Sequence, residues 1–231
     1  MNPRALTLLP FILAGCATVQ HKPAKPPLTV EWPVASTEQL GGYTARPTGE
    51  PKLVNDASSP ALCFDGTKDS LEVFINPLDL QIAFTVEVLM KPDADGGGKQ
   101  QFLHLEDANE EARVLMETRR TQDGRWHFHS FVRSHAGQEQ LSSTGSLHDP
   151  NQWYWAAVTY ADGWLRSYVD GKEEQSVPFQ YKAMQGGKMS LGSRLTHESW
   201  FKGCIAQVRF ANAALPVDQL QHIAPQAVAH Q

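Results

Sequence analysis

From Ala61 onward the chain breaks into short runs in which apolar and polar side chains alternate, each run closed by a turn signal. A period of two sends successive side chains to opposite faces of an extended strand, so such a run buries one face and presents the other. Leu71-Glu72-Val73-Phe74-Ile75 is one run, and Phe84-Thr85-Val86-Glu87-Val88-Leu89-Met90 is a second, closed by Lys91-Pro92-Asp93 and a triple-glycine loop. Phe102 to Glu106 and Arg113 to Arg119 flank the polar Asp107–Glu111 turn and read as a hairpin. Asp123-Gly124 turns into Arg125 to Arg133. Trp153 to Tyr160 and Trp164 to Val169 meet at Asp162-Gly163, a dipeptide suited to a tight hairpin. Lys188 to Gly192 and Cys204 to Phe210 complete the set, and only Pro216 to Ile223 offers a trace of helical period. Many short strands separated by glycine and proline turns predict an all-β antiparallel sandwich.

The same alternation divides inward from outward residues. With Phe84, Val86, Val88 and Met90 in the core, Glu87 turns out. By the same parity Trp155, Arg166, Tyr168, His127 and His129 also turn out. If these strands share one sheet, its outer face gathers aromatic rings beside charged hydrogen-bonding groups. That combination suits a sugar, with its apolar ring faces and rim of hydroxyls. A rival site is the loop Arg194 to Trp200, with His197, Glu198 and an exposed Trp200. His127 and His129, at i and i+2, read either as a solvent-facing pair or as two ligands of a metal completed by a neighbour.

The first fifteen residues carry Arg4 ahead of an apolar run from Ala5 to Leu13, the pattern of a secretory signal too short to span a bilayer. Its end, Leu13-Ala14-Gly15-Cys16, resembles the lipobox of bacterial lipoproteins. The resemblance implies cleavage before Cys16, a diacylglyceryl thioether on its sulfur, acylation (palmitate or similar) of the new amino terminus, and, with Ala17 following, the outer membrane of a Gram-negative cell. Residues 16–56 are rich in proline and polar groups and read as a tether. Within it, the apolar patch Val30 to Val34 is the part able to dock on the domain. The domain is set at 57–223 and a C-terminal tail at 224–231. The three cysteines fit this scheme: Cys16 takes the lipid, leaving Cys63 and Cys204 either as a disulfide, which an oxidising compartment permits, or as two buried thiols. With 20 Lys and Arg against 25 Asp and Glu, nothing suggests a basic nucleic-acid surface.

Six segments in order resemble the concanavalin A-like jelly roll in its laminin-G-like branch. They are Ala61-Leu62-Cys63-Phe64-Asp65-Gly66; Phe84-Thr85-Val86-Glu87 with Lys91-Pro92; Trp153 with Ala157-Val158-Thr159-Tyr160; Tyr168-Val169-Asp170-Gly171-Lys172; Leu191-Gly192-Ser193-Arg194; and Phe201-Lys202-Gly203 with Ile205 and Val208-Arg209-Phe210. The resemblance implies a two-sheet jelly-roll sandwich whose first and last strands lie side by side, which brings Cys63 near Cys204. It implies calcium as the candidate cofactor, with Asp56, Asp65 and Asp69 as ligands, although aspartate is also what such turns require by themselves. Laminarinase-type hydrolases of the superfamily carry an E-x-D-x-x-E strand. Here Asp107 and Glu110 stand at the second and third spacings but Leu105 occupies the first, and the stretch reads as a turn. The expectation is a non-catalytic, lipid-anchored envelope module for a glycan or glycoconjugate. The alternatives are an envelope-protein contact module and a divergent glycosidase or lyase.

Overall fold

The structure, a computed structural model, describes residues 27–56 and 59–223. The expected signal peptide, the lipid-bearing Cys16 and the C-terminal tail lie outside the described residues. Two eight-stranded antiparallel sheets pack face to face. The strands are β1 (Thr29–Pro33), β2 (Gln39–Leu40), β3 (Tyr43–Thr48), β4 (Lys52–Asp56), β5 (Ser59–Asp65), β6 (Ser70–Val73), β7 (Phe84–Pro92) and β8 (Lys99–Glu106). They continue with β9 (Arg113–Arg120), β10 (Trp126–Ser134), β11 (Gly137–Ser142), β12 (Tyr154–Ala161), β13 (Trp164–Val169), β14 (Lys172–Pro178), β15 (Lys188–Leu191) and β16 (Lys202–Ala211). The first sheet runs β14-β13-β12-β7-β16-β5-β4, with β1 also on β16, and the second runs β11-β10-β9-β8-β15-β6-β3-β2.

The alternating runs become the central strands, and their apolar sets meet between the sheets. Phe84, Val86, Val88 and Met90 of β7 join Val114 and Met116 of β9, Trp126 and Phe128 of β10, and Met189 and Leu191 of β15 in one core. Phe102 packs against Phe128 and Phe201 at centroid separations of 6.1 and 5.9 Å. Each such side chain, fully buried, contributes roughly 1.5–3 kcal/mol relative to exposure. The trace of helix near the C-terminus is a single 3-10 turn, Val217–Gln219. Among the described residues no helix is long and apolar enough to cross a membrane.

The tether needs correction. Residues 29–56 are built into the sandwich as β1 to β4 rather than strung out before it. β1 pairs along β16 from Thr29 opposite Ala211 to Pro33 opposite Gln207, β3 pairs β6, and β4 pairs β5. The docking patch is the reason: Trp32 enters the core with its ring 5.1 Å from that of Phe210, and Val34 is fully buried. The chain turns after β2 at Gly41, whose φ of +62° suits glycine and whose missing Cβ leaves room for the Trp32 indole.

β5 and β16 lie side by side with Cys63 directly opposite Cys204, and the two form a disulfide. The pair therefore closes the domain from its early strands to its last.

Candidate functional site

The outward residues of β7, β12 and β13 do not form an open face. The segment after β16 folds back across them, and Leu215 and Leu220 pack with Ala157, Tyr168 and Ala211. Glu87 is wholly buried beneath it, accepting hydrogen bonds from the Arg209 guanidinium and from the Gln221 amide. Burial raises the Glu87 carboxyl above its ordinary value, against the pull of those two donors. Thr85 fastens the same segment, donating to the Ala213 carbonyl and accepting from the Leu215 amide. Trp155 and Tyr168 are buried too, and Arg166 stays half-exposed beside the exposed Trp164 ring. The expectation of a single outer face is thus corrected: Glu87, Trp155, Arg166 and Tyr168 stand on the first sheet, His127 and His129 on the second.

The outer face of the second sheet is where polar groups gather. Strand register arranges them in rows. One row holds Lys99, Arg119 and His127, and the next holds Gln101, Glu117, His129 and Ser142. A third holds Ser190, His104, Leu115, Phe131 and Gln140, and a fourth Lys188, Glu106, Arg113, Arg133 and Gln138. Leu115 and Phe131 therefore form an apolar strip between charged rows.

Glu117 organises one end. Its buried carboxylate accepts from Gln101 Nε2 at 3.0 Å and from Arg119 Nε at 2.7 Å, with Lys99 Nζ at 3.7 Å. Arg119 also reaches His129 Nε2 at 3.2 Å. A guanidinium can only donate, so Nε2 accepts and the ring proton sits on Nδ1. Burial outweighs the Glu117 charge and, with Arg119 and Lys99, lowers the His129 pKa to about 4, so the ring is neutral near pH 7. His129 Nδ1 and Gln101 Oε1 are buried without hydrogen-bond partners, a donor and an acceptor of the kind a hydroxyl can meet together. The expected solvent-facing pair is corrected: His127 is half-buried and touches Ser142 Oγ at 3.3 Å, while His129 is only 3% exposed.

His104 marks the other end, 1% exposed. The Leu195 amide donates to its Nδ1 at 3.0 Å, which leaves the proton on Nε2. That contact draws the loop after β15 over the sheet. The loop is held by Arg194 to Glu198 at 2.6 Å, His197 to Glu72 at 2.9 Å, and the Gln101 amide to the Ser199 carbonyl at 2.7 Å. The structure therefore joins two candidates that the sequence kept apart, since the Arg194–Trp200 loop lies beside the face that carries His127 and His129. Trp200 is half-buried, its ring 5.7 Å from that of His197. Gly187, just before β15, has its Cα so close to the Glu106 carbonyl that a Cβ would stand 1.9 Å from it, which fixes β15 tightly against β8.

Sequence reading missed Gln101, His104, Arg113, Glu117, Arg119 and Phe131. Alternation turns Arg113, Glu117 and Arg119 outward on β9 and Phe131 outward on β10, but on β8 an irregularity between Gln101 and Leu103 is what lets both Gln101 and His104 face out, and only pairing shows that all of them stand beside His129.

The calcium candidates behave otherwise. The Asp65 carboxylate accepts from the amides of Thr67, Lys68 and Asp69 and from the Thr67 hydroxyl. Its slight burial would raise the pKa, but these donors bring it down to about 2. Asp69 accepts from the amides of Glu50 and Asp65, and the Asp56 side chain lies outside what the structure describes. Both described carboxylates are thus already engaged by backbone amides, Asp65 within its own turn and Asp69 also across to Glu50. Among the described residues no group of three or more His, Cys, Asp or Glu side chains is placed to hold a metal ion.

A laminin G family model, described as the concanavalin A-like lectin/glucanases superfamily, matches residues 65–221. The chain belongs to that superfamily. The concanavalin A-like chain has no match among curated proteins. Its fold is that of domain 4 of AbnA, a GH43 extracellular arabinanase from Geobacillus stearothermophilus in complex with arabinotriose (TM-score 0.57, 17% identity, 78% of this chain and 87% of that one). It is also that of the native heptameric SAP-like pentraxin from Limulus polyphemus (TM-score 0.57, 17% identity, 72% and 82%). The botulinum neurotoxin serotype D binding domain superposes with a TM-score of 0.61 at 12% identity, over 82% of this concanavalin A-like chain but only 49% of its own. At these identities the likeness is one of fold.

Proposed function

We propose that the protein is a non-catalytic binding module for saccharides, using the outer face of β8, β9 and β10. The observation that carries this is the set of buried, unpartnered hydrogen-bonding groups, Gln101 Oε1, His104 Nε2 and His129 Nδ1, placed around the apolar strip of Leu115 and Phe131. A sugar ring offers an apolar face to such a strip and hydroxyls to such groups. Binding rather than hydrolysis is supported by the carboxylates of the face. Glu106, opposite Arg113, stands two rows from Glu117, and each is held by a cation of the face, Glu106 by Lys188 and Glu117 by Arg119. The arabinotriose complex of the arabinanase domain supports the reading by showing a sandwich of this kind with a sugar bound.

Retention on immobilised polysaccharides in native affinity gels tests it. Phe131→Ala is expected to weaken retention about tenfold with an unchanged unfolding midpoint. Absence of retention on every neutral and acidic polysaccharide would sink the reading.

We further propose that Cys16 carries the lipid and holds the domain at the outer membrane. Replacing Cys16 by Ser is then expected to release the protein from the membrane fraction. Contact with an envelope protein is the second reading, favoured by the exposed apolar side chains of Phe74, Leu80 and Ile82 around one loop. It predicts that Ile82→Asp abolishes a co-purifying partner without affecting polysaccharide retention.

A further inference from the structure

The basic groups of the second sheet's outer face are not all paired. Arg119 is matched by Glu117, and Lys188 by Glu106 at 3.2 Å. Arg113 and Arg133 stand directly opposite each other on β9 and β10, and neither has an ion-paired or hydrogen-bonded side-chain partner among the described residues. Like charges placed so are destabilising in a sheet unless something else compensates them. The loop adds a third guanidinium: the Leu195 amide bound to His104 sets Arg194 at the same end, and Glu198 meets only its Nη1. Arg113 Nε and Arg194 Nε are buried and have no acceptor, and neither has His104 Nε2, whose nearest carboxylate oxygen, on Glu106, is 3.6 Å away. Three buried N–H donors without acceptors thus belong to this end of the face, on a chain whose acidic residues outnumber its basic ones by 25 to 20.

We propose that Arg113, Arg133 and Arg194, with His104, form a subsite for an oxyanion carried by the saccharide, so that the ligand is an acidic glycan rather than a neutral one. This rests on the saccharide reading above and names the class of sugar. A guanidinium presents paired donors in one plane, matching the two oxygens of a carboxylate or of a sulfate ester. Two supporting effects agree with the geometry. Burial and then the charges of Arg194, Arg113 and Lys188 lower His104 to about 3, so it stays a neutral donor. Burial, followed by the repulsion of Arg194 and Arg133, lowers Arg113, and the charges of Glu106 and Asp107 offset this only in part. An incoming anion would relieve that repulsion, and the apolar strip of Leu115 and Phe131 lies in the adjoining row for the ring that carries it.

Isothermal titration of the purified protein with three oligosaccharides tests the proposal: a galacturonate oligomer (carboxylate), a sulfated galactan oligomer (sulfate ester) and a neutral arabinan oligomer. At least one acidic probe should bind ten times tighter than the neutral one, and the two acidic arms tell carboxylate from sulfate. The paired change Arg113→Gln, Arg133→Gln should bring acidic and neutral affinities within about twofold of each other. Arg133 is exposed, so Arg133→Gln alone should cost about threefold in acidic affinity with the unfolding midpoint unchanged, and Arg113→Lys should recover part of the loss. Neutral binding as tight as acidic binding, or an acidic preference surviving the paired change, overturns this inference and leaves the saccharide reading standing. Failure of all three probes overturns both.

Discussion

Glu87 on β7 and Glu117 on β9 occupy equivalent positions in their strands. Both turn away from the core, both are buried, and both meet an arginine. What differs is what lies above them: Glu87 is sealed by backbone, whereas Glu117 shares its face with His129 and Gln101, which keep unpartnered atoms. The histidines of that face carry a consequence for stability. His104 and His129 fall from the ordinary 6.5 to about 3 and about 4 in the folded protein, mainly through burial. The unfolded chain therefore binds more protons between those values and 6.5. Their stabilisation is complete above about pH 6.5 and is lost as pH falls through 4 towards 3. His104→Asn and His129→Gln keep an acceptor for the Leu195 amide and for Arg119 but cannot titrate. The urea midpoint of the native protein is expected to fall between pH 7 and 4.5 more steeply than that of the double variant. Parallel curves for the two proteins would show that the rings are not buried neutral.

The elements that sequence reading found and those it missed differ in position. Strands β7, β8, β9, β10, β12, β13, β15 and β16 have neighbours on both sides, and their alternation is clear. Those overlooked, β1 to β4, β11 and β14, lie at or next to sheet edges. An edge strand buries few side chains, as β1 does with Trp32 and β3 with Ala45, and it tolerates prolines such as Pro33 and Pro47. The segment therefore resembles a polar tether in composition while pairing like a strand. Trp32 decides between the two descriptions. Trp32→Ala is expected to cost about 3–5 kcal/mol, the usual loss for a large aromatic cut from a core. A tether residue would cost nothing measurable, so chemical denaturation distinguishes them at once.

At the scale of the whole molecule, the Cys63–Cys204 bond ties β5 to β16 across a separation of 141 residues. Closing so long a loop restricts the unfolded chain by about 5 kcal/mol in the chain-entropy model, and removal of a native bridge typically costs 2–5 kcal/mol. Reduction, or Cys63→Ser with Cys204→Ser, is expected to lower the denaturation midpoint accordingly while leaving β-sheet circular dichroism intact at 25 °C. An unchanged midpoint would mean that the bridge does not restrict the unfolded chain.

The sequence by itself determined the all-β class, the central strands, which residues of each strand face inward, and the superfamily motifs. These follow from a local period of two, which neighbouring residues carry without help. It could not decide which outward residues share a surface. Glu87 and His129 have the same parity, but strand order puts them on different sheets, and a return of the chain some 130 residues later covers one of them: the Gln221 amide reaches Glu87 across 134 positions. The placement of the Arg194 loop at the His104 end of the face likewise depends on a loop crossing from the far end of the chain, where the Leu195 amide reaches His104. Those are long-range pairings, set by how whole strands pack, and only the tertiary structure contains them.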